Sequence, residues 1–358
     1  MIRRISFSTL SATGFLALLV LLFFLLQGSK PSSLAEGTSM VSSRGLLEVY
    51  FSQPTNPASR SLRGGPDTYL VEAIDAAQFS IDMAMYHLDL WSVRDALIRA
   101  HRRGVQVQVV TDDVQKEELE IQSLVDAGIV VIDDGRPGIM HHKFLVIDRN
   151  EVWTGSMNMT VNGAYRNDNH LIRICSKAVA DNYTREFDEM FLEDRFGALS
   201  LADTPNPVVN LDGVAIGSYF SPDDGVLDKI IEQMRDAERN VEILAYALTT
   251  DLVGETLFDL HQRGVTVRGV VETSQSQATG SETPRLRQAG VDIRLDGNPE
   301  NMHHKVIILD GITVILGSYN FTRSAEEKND ENVLIIHDPA LATQFLIEFE
   351  RIYTTASP

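Results

Sequence analysis

Apolar and polar positions in the first part of the chain switch repeatedly between two periods. In YLVEAIDAAQ (69–78), Leu70, Ala73, Ile74 and Ala77 share one face at helical spacing. SIDMAMYHL (80–88) alternates and predicts a strand. SVRDALIRAHRRG (92–104) returns to the helical period and stops at Gly104. VQVQVV (105–110) alternates again, with Val105, Val107 and Val109 on one face. KFLVID (143–148), a turn at Arg149-Asn150 and EVWTGS (151–156) predict a hairpin that ends in a polar loop. Strand, helix and strand in series predict an α/β fold, with parallel pairing and helices covering the sheet.

The same pattern then runs a second time. LVDAGIVVIDDGRPGIMHHKFLVID (124–148) aligns without a gap with LRQAGVDIRLDGNPENMHHKVIILD (286–310). RDALIRAHRRGVQVQVVTDD (94–113) matches GETLFDLHQRGVTVRGVVET (254–273), and VYFSQP (49–54) matches SYFSPD (218–223). VIILDGITVILGS (306–318) repeats the hairpin. The repeat unit of about 160 residues is too long for a solenoid. The chain therefore reads as two duplicated α/β halves, each a mixed sheet flanked by helices. They span 46–202 and 203–358, and DTPNPVVNLDG (203–213) is the connector.

The N-terminus departs from both periods. Arg3 and Arg4 precede the apolar run FLALLVLLFFLL (15–26), which extends back to Leu10 with polar interruptions. Its length lies between a signal-peptide core and a spanning helix, so a cleaved signal peptide and a retained membrane anchor over 10–26 both stay open. Either one places the folded part outside the cytoplasm, secreted or anchored, because the positive end stays inside. Residues 28–45 read as a flexible linker, so the segment 1–45 stands apart from the two halves.

Composition narrows the partners. The chain carries 31 Lys and Arg against 50 Asp and Glu, a formal net charge of −19. Such a chain is a poor nonspecific binder of duplex nucleic acid, which is held by neutralising its phosphates. The lone cysteine, Cys175, permits neither an intramolecular disulfide nor a cysteine-based zinc site.

The chemistry sits where the repeat is most faithful. IMHHKFLVID (139–148) and NMHHKVIILD (301–310) place His141 with Lys143 and His303 with Lys305. In an extended segment residues i and i+2 share a face, so each half presents an imidazole and an ammonium together, with His142 and His304 turned away. Seven residues beyond Asp148 begins Gly155-Ser156-Met157-Asn158; seven beyond Asp310 begins Gly317-Ser318-Tyr319-Asn320. Apolar neighbours differ between the copies while this polar set is the same, as expected if the polar set is the functional one. Two imidazoles brought together suit phosphoryl transfer. One attacks phosphorus and the other protonates the leaving oxygen, while lysines and asparagines hold the phosphate oxygens. A metal held by the four histidines is the competing chemistry. It is disfavoured because the lysine beside each pair would repel a cation.

His-x-Lys, four residues, Asp, six residues, Gly-Ser-x-Asn, present twice, resembles the phospholipase D superfamily across residues 46–355. The resemblance implies two similar halves related by a pseudo-twofold axis, with one active site at the seam. It implies a two-step displacement through a phosphohistidine, with no cofactor and no metal. The implied site is His141, Lys143 and Asn158 with His303, Lys305 and Asn320. Ser156 and Ser318 are expected near the phosphate, and Asp148 and Asp310 are expected as braces of the catalytic motif. Glu331, 28 residues past His303, matches a carboxylate that orients a catalytic histidine. Its counterpart in the first half is Asn169, unless neighbouring Asp168 takes the role. Pairing of Glu331 with His303 would make His303 the general acid and His141 the nucleophile. The superfamily includes lipases, lipid synthases and nucleases. The apolar N-terminus and the acidic charge favour a phospholipid substrate cleaved to phosphatidic acid. A nuclease, and a cardiolipin synthase-like transferase, remain the alternatives.

Overall fold

In the first half, alternation and β-branched content give strands β1 (Met40–Ser42), β2 (Leu47–Phe51), β3 (Ser80–Met85), β4 (Gln106–Thr111), β5 (Val130–Asp133), β6 (Lys143–Ile147), β7 (Glu151–Gly155) and β8 (His170–Cys175). The second half gives β9 (Val208–Leu211), β10 (Val214–Ser221), β11 (Asn240–Ala245), β12 (Thr266–Val271), β13 (Asp292–Leu295), β14 (Lys305–Leu309), β15 (Thr313–Gly317) and β16 (Glu331–His337). This computed structural model describes residues 40–42 and 45–357. The apolar run at 10–26, and with it the signal-or-anchor expectation, lies outside the described residues. Among the described residues no helix is long and apolar enough to cross a membrane.

The described strands form two sheets of eight, ordered β1-β2-β8-β7-β6-β3-β4-β5 and β9-β10-β16-β15-β14-β11-β12-β13. The second order is the first advanced by one repeat, so the duplication read in the sequence is a duplication of topology. Each sheet is mixed. β3, β4 and β5 pair in parallel, while β6, β7, β8 and β2 are antiparallel. Two stretches read as connections turn out to be strands. Met40–Ser42, inside the predicted linker, pairs with β2, and Val208–Leu211, inside the predicted connector, pairs with β10.

Helices α1 (Asp67–Ala76) and α2 (Trp91–Arg102) cover the outer face of the first sheet, burying Leu70, Ile74, Val93 and Leu97 against Ile81, Met83 and Val109. The expected periodic faces are the buried ones. α3 (Leu119–Asp126) and α4 (Val161–Tyr165) complete this side. The inner face is covered by α5 (Lys177–Phe191). In the second half, α6 (Val226–Arg235), α7 (Asp251–Gln262), α8 (Thr283–Gln288) and α9 (Arg323–Glu327) are the outer set, and α10 (Pro339–Thr355) is the inner one. Tyr183 and Phe187 of α5 and Phe345 and Phe349 of α10 share one buried cluster with Phe144, Val146, Val306 and Ile308. The inner faces of both sheets thus close over a single core. Main-chain bonds also cross between halves, in reciprocal pairs. His141 N donates to Asp330 O (3.0 Å) and Asp330 N to Ile139 O (3.0 Å). His303 N donates to Asp168 O (2.9 Å) and Asp168 N to Asn301 O (2.9 Å). This reciprocity is the pseudo-twofold relation, and it runs through the two His-x-Lys segments.

Candidate active site

The crossing main chains decide which side chains meet. Asp330 O holds His141 N, so the next residue, Glu331, is delivered to His141: His141 Nδ1 lies 2.7 Å from Glu331 Oε2. Asp168 O holds His303 N in the same way and delivers Asn169, whose Oδ1 is 3.0 Å from His303 Nδ1. The expectation that Glu331 contacts His303 is therefore corrected. Each histidine takes its partner from the other half, and a count along one copy cannot reveal that exchange. Asp168 does not stand in for a histidine partner either, since its carboxylate binds Arg351 and Asn298.

The two oxygens fix the imidazoles. With Nδ1–H donated to Glu331 or to Asn169, the Nε2 atom of each ring is left for chemistry. His303 Nδ1 also lies 3.1 Å from Ser156 O. The lysines extend the symmetry: Lys143 Nζ donates to His141 O at 2.7 Å, and Lys305 Nζ to His303 O at 2.8 Å. Both lysines are buried. Burial pushes the Lys143 ammonium down to about 7, opposed by Glu331 and Asp112. Lys305 is pushed well down by burial and by Lys143. Burial, then the two lysines, hold both His141 and His303 well below the ordinary imidazole range. Burial pushes the Glu331 carboxyl the other way, to about 7, against the pull of Lys143. These directions share one origin. Cationic groups converge on a buried site, and an anion entering it would reverse the cost.

Other expected residues have different stations. The Ser156 hydroxyl donates to Asn169 Oδ1 (2.9 Å) and accepts from His170 N (3.1 Å). Ser318 Oγ accepts from Asn332 N (3.0 Å) and bonds Glu331. Both hydroxyls are spent behind the histidine partners, so they brace Asn169 and Glu331 where phosphate contact had been expected. Asn158 and Asn320 each have a buried Oδ1 atom without a hydrogen-bond partner among the described residues. Asp148 and Asp310 lie beyond the far ends of β6 and β14. Asp148 accepts from the N–H groups of Gln78, Phe79 and Ser80 at 2.7–3.1 Å. Asp310 does the same for Glu238, Arg239 and Asn240 at 2.8–2.9 Å. They fasten the turns before β3 and β11, which is a structural role away from the histidines.

His142 and His304 point to the other face, as alternation requires, and are absorbed by the inner layer. His142 Nε2 lies 2.7 Å from Glu186 and His304 Nε2 3.2 Å from Glu348. Two residues went unread in the sequence. The Tyr86 ring lies 5.1 Å from the His141 ring and 5.4 Å from Lys143 Nζ. The Tyr246 ring lies 4.7 Å from both His303 and Lys305 Nζ. Their signal was available, since each tyrosine directly follows the matching strand β3 or β11. No cation site emerges from the one acidic cluster found among the described residues, Asp112, Asp113 and Asp134. Asp112 is occupied by the N–H groups of Met140 and Val114, and Asp134 by Asp113 N and Arg136.

The chain matches the family described as cardiolipin synthase, PLD-like domain, twice, over residues 70–191 and 230–353. It belongs to the phospholipase D superfamily. A mitochondrial cardiolipin hydrolase of Chlamydomonas reinhardtii is 34% identical over 127 residues, which is 36% of this chain and 57% of the relative. A phospholipase D of Rickettsia prowazekii is 35% identical over 142 residues, 40% of this chain and 69% of the relative. The chain thus spans little more than half the length of the first of these, and each alignment is about the size of one repeat. The crystal structure of a phosphatidylserine synthase from Haemophilus influenzae matches 87% of this chain and 87% of its own, with TM-score 0.63 and 16% identity, a likeness of fold.

Proposed function

We propose that this protein is a metal-independent phosphodiesterase that cleaves phospholipid head groups through a phosphohistidine. The observation that supports it is the exchange at the seam: two imidazoles, each fixed through Nδ1 by the opposite half, with two buried lysines beside them. His141 Nε2 attacks phosphorus, and the bond from phosphorus to the leaving alcohol oxygen breaks. His303 gives its Nε2 proton to that oxygen. Water then attacks phosphorus, His303 takes the water's proton, and the N–P bond breaks to release the phosphate monoester. His141 is assigned as nucleophile on a ground different from the one the sequence offered. Its ring becomes cationic on phosphorylation, and Glu331 stabilises that cation as an aspartate does in a Ser-His-Asp triad. His303, held by the neutral amide of Asn169, gives up its proton more readily. Lys143, Lys305, Asn158 and Asn320 hold the non-bridging oxygens.

A lipid substrate is supported by the names of the two relatives and by the charge of −19, which disfavours nucleic acid. The N-terminal run preceded by Arg3 and Arg4 supports a folded part outside the cytoplasm, delivered to or held at a membrane. The full chain should hydrolyse phosphatidylcholine or cardiolipin vesicles with excess chelator present, and should leave single-stranded DNA intact. DNA cleavage without lipid hydrolysis would establish the nuclease alternative, and transfer to added glycerol in place of water the synthase-like one. A reporter that works only in the cytoplasm should be inactive when fused after Pro358; activity there would overturn the placement.

A further inference from the structure

Two pseudo-symmetric places beside the catalytic seam are finished differently. At the first, Arg136 donates to Lys328 O (2.8 Å) and pairs with Asp330. The chain leaving α5 covers this place. Gly197 N donates to Asp330 Oδ1 (2.5 Å), and buried Phe196 packs under the Arg136 guanidinium, 5.9 Å from its ring centroid. At the second place Asn298 stands where Arg136 would, donating to Arg166 O (3.0 Å) and Asp168 Oδ2 (2.8 Å). The chain leaving α10 takes another course, exchanging main-chain bonds with Leu295 through Ser357 (2.9 and 2.7 Å). Asn298 also lines a cavity of about 650 Å³, walled by Leu62, Tyr165 and Ile352, with Arg60, Arg166 and Arg351 around it. That volume is in the ordinary range for a small-molecule site.

The charges there are unequal. Arg351 is neutralised by Asp168 and Glu348. Arg166 has only the amide oxygen of Asn162 (3.0 Å), and among the described residues Arg60 has no ion pair. Arg60, Arg166 and Arg351 against Asp168 and Glu300 leave the lining with one positive charge in excess, on a chain that is strongly acidic as a whole. A hollow with apolar walls, rimmed by two guanidiniums that have no ion pair among the described residues, matches an amphiphile with an anionic head. We propose that this cavity binds a single acyl chain ending in an anionic head, a carboxylate or a phosphomonoester. The tail lies against Leu62, Tyr165 and Ile352, and the head against Arg60 and Arg166. The cavity is lined by none of the catalytic histidines or lysines. It is nonetheless one main-chain bond from the reaction, since Asp168 O accepts from His303 N at 2.9 Å. The inference stands independently of the phosphodiesterase reading.

The test uses the full chain and a dodecanoate bearing a photoreactive diazirine at its far end, with the labelled peptides mapped by mass spectrometry. Label is expected on peptides containing Leu62, Tyr165 or Ile352. Dodecanoate and dodecyl phosphate should compete, the one that acts at lower concentration identifying the head group, and dodecyltrimethylammonium should not. Arg60→Glu with Arg166→Glu should cut labelling about tenfold or more, as expected for losing charge-assisted bonds. Thr55→Trp, at the exposed mouth, should cut it by filling the entrance, with the unfolding midpoint checked for each protein. Arg60→Glu alone, on an exposed side chain, keeps the test intact if the double variant does not fold. Labelling scattered over the surface, equal competition by the cation, or full labelling of the charge-reversed protein would overturn the proposal. Label confined to peptides around 141–143 and 303–305 would also overturn it, placing the amphiphile in the catalytic cleft and leaving the phosphodiesterase reading standing.

Discussion

At the scale of single residues, the site is a balance between burial and charge, and pH should expose it. Lys143 titrates near 7 in the empty site because burial disfavours its ammonium. A bound anion favours the ammonium and raises that pKa, so the complex holds more protons than the free protein just above pH 7. Binding therefore takes up protons and weakens as pH rises through and beyond 7, by up to about tenfold per pH unit for each proton taken up. Sulfate, whose own charge is constant over this range, is the suitable ligand. Calorimetry in buffers of different ionisation enthalpy would count the protons, and sulfate affinity independent of pH between 7 and 9 would show that the lysine stays charged in the free site. The histidine partners make a second prediction. Glu331→Gln removes the charge that stabilises phosphorylated His141, and turnover should fall by roughly two to four orders of magnitude, as for the loss of a triad carboxylate. In wild-type protein quenched during turnover, the phosphatidyl group should be on His141; its presence on His303 would reverse the assignment. This is also where the sequence was least legible. His141, Lys143, His303 and Lys305 announced themselves by identical spacing in two copies. The partner of each histidine did not, because it arrives across the seam through the carbonyls of Asp168 and Asp330.

At the scale of elements, the motif divides into a working end and an anchoring end. β6 and β14 each carry a lysine at the start, facing the site, and an aspartate after the last strand residue, at the opposite edge of the sheet. Asp148 and Asp310 adopt positive φ of 51° and 54° there, and each gathers three main-chain N–H groups. Asp148→Asn should therefore lower stability by about 1–3 kcal/mol, the cost of weakening such bonds, while the folded fraction keeps near-normal turnover. Denaturant midpoints and activity per folded molecule separate the two effects, and a loss of turnover without a loss of stability would show a catalytic role. Strands and helices were readable here because their apolar periods are strong and each occurs twice. β1 and β9 were not, since they are short edge strands within polar, Pro- and Ser-containing stretches whose composition resembles that of a connection.

At the scale of the molecule, duplication explains why one chain carries two incomplete sites' worth of residues. Each half supplies one histidine, one lysine and the partner of the other half's histidine, so neither half holds a complete constellation. The relatives align over about one repeat, which raises the question of whether a whole site here is built within one chain or between two. The structure favours one chain. The crossing bonds at His141 and His303 and the core shared by Phe144, Phe187, Val306 and Phe345 tie the two halves to each other. Separating them to exchange partners would expose that apolar cluster to water, a large cost at about 25 cal/mol for each Å² uncovered. His141→Ala and His303→Ala chains, each inactive, should therefore stay inactive when mixed and incubated together. If halves exchanged freely between chains, intact pairs would reform and recover about a quarter of wild-type activity, the fraction expected for random assortment in a swapped dimer. Recovery of that size in the mixture would show that the two histidines of a site come from different chains, whereas its absence would leave the seam within each chain as the place where the reaction is assembled.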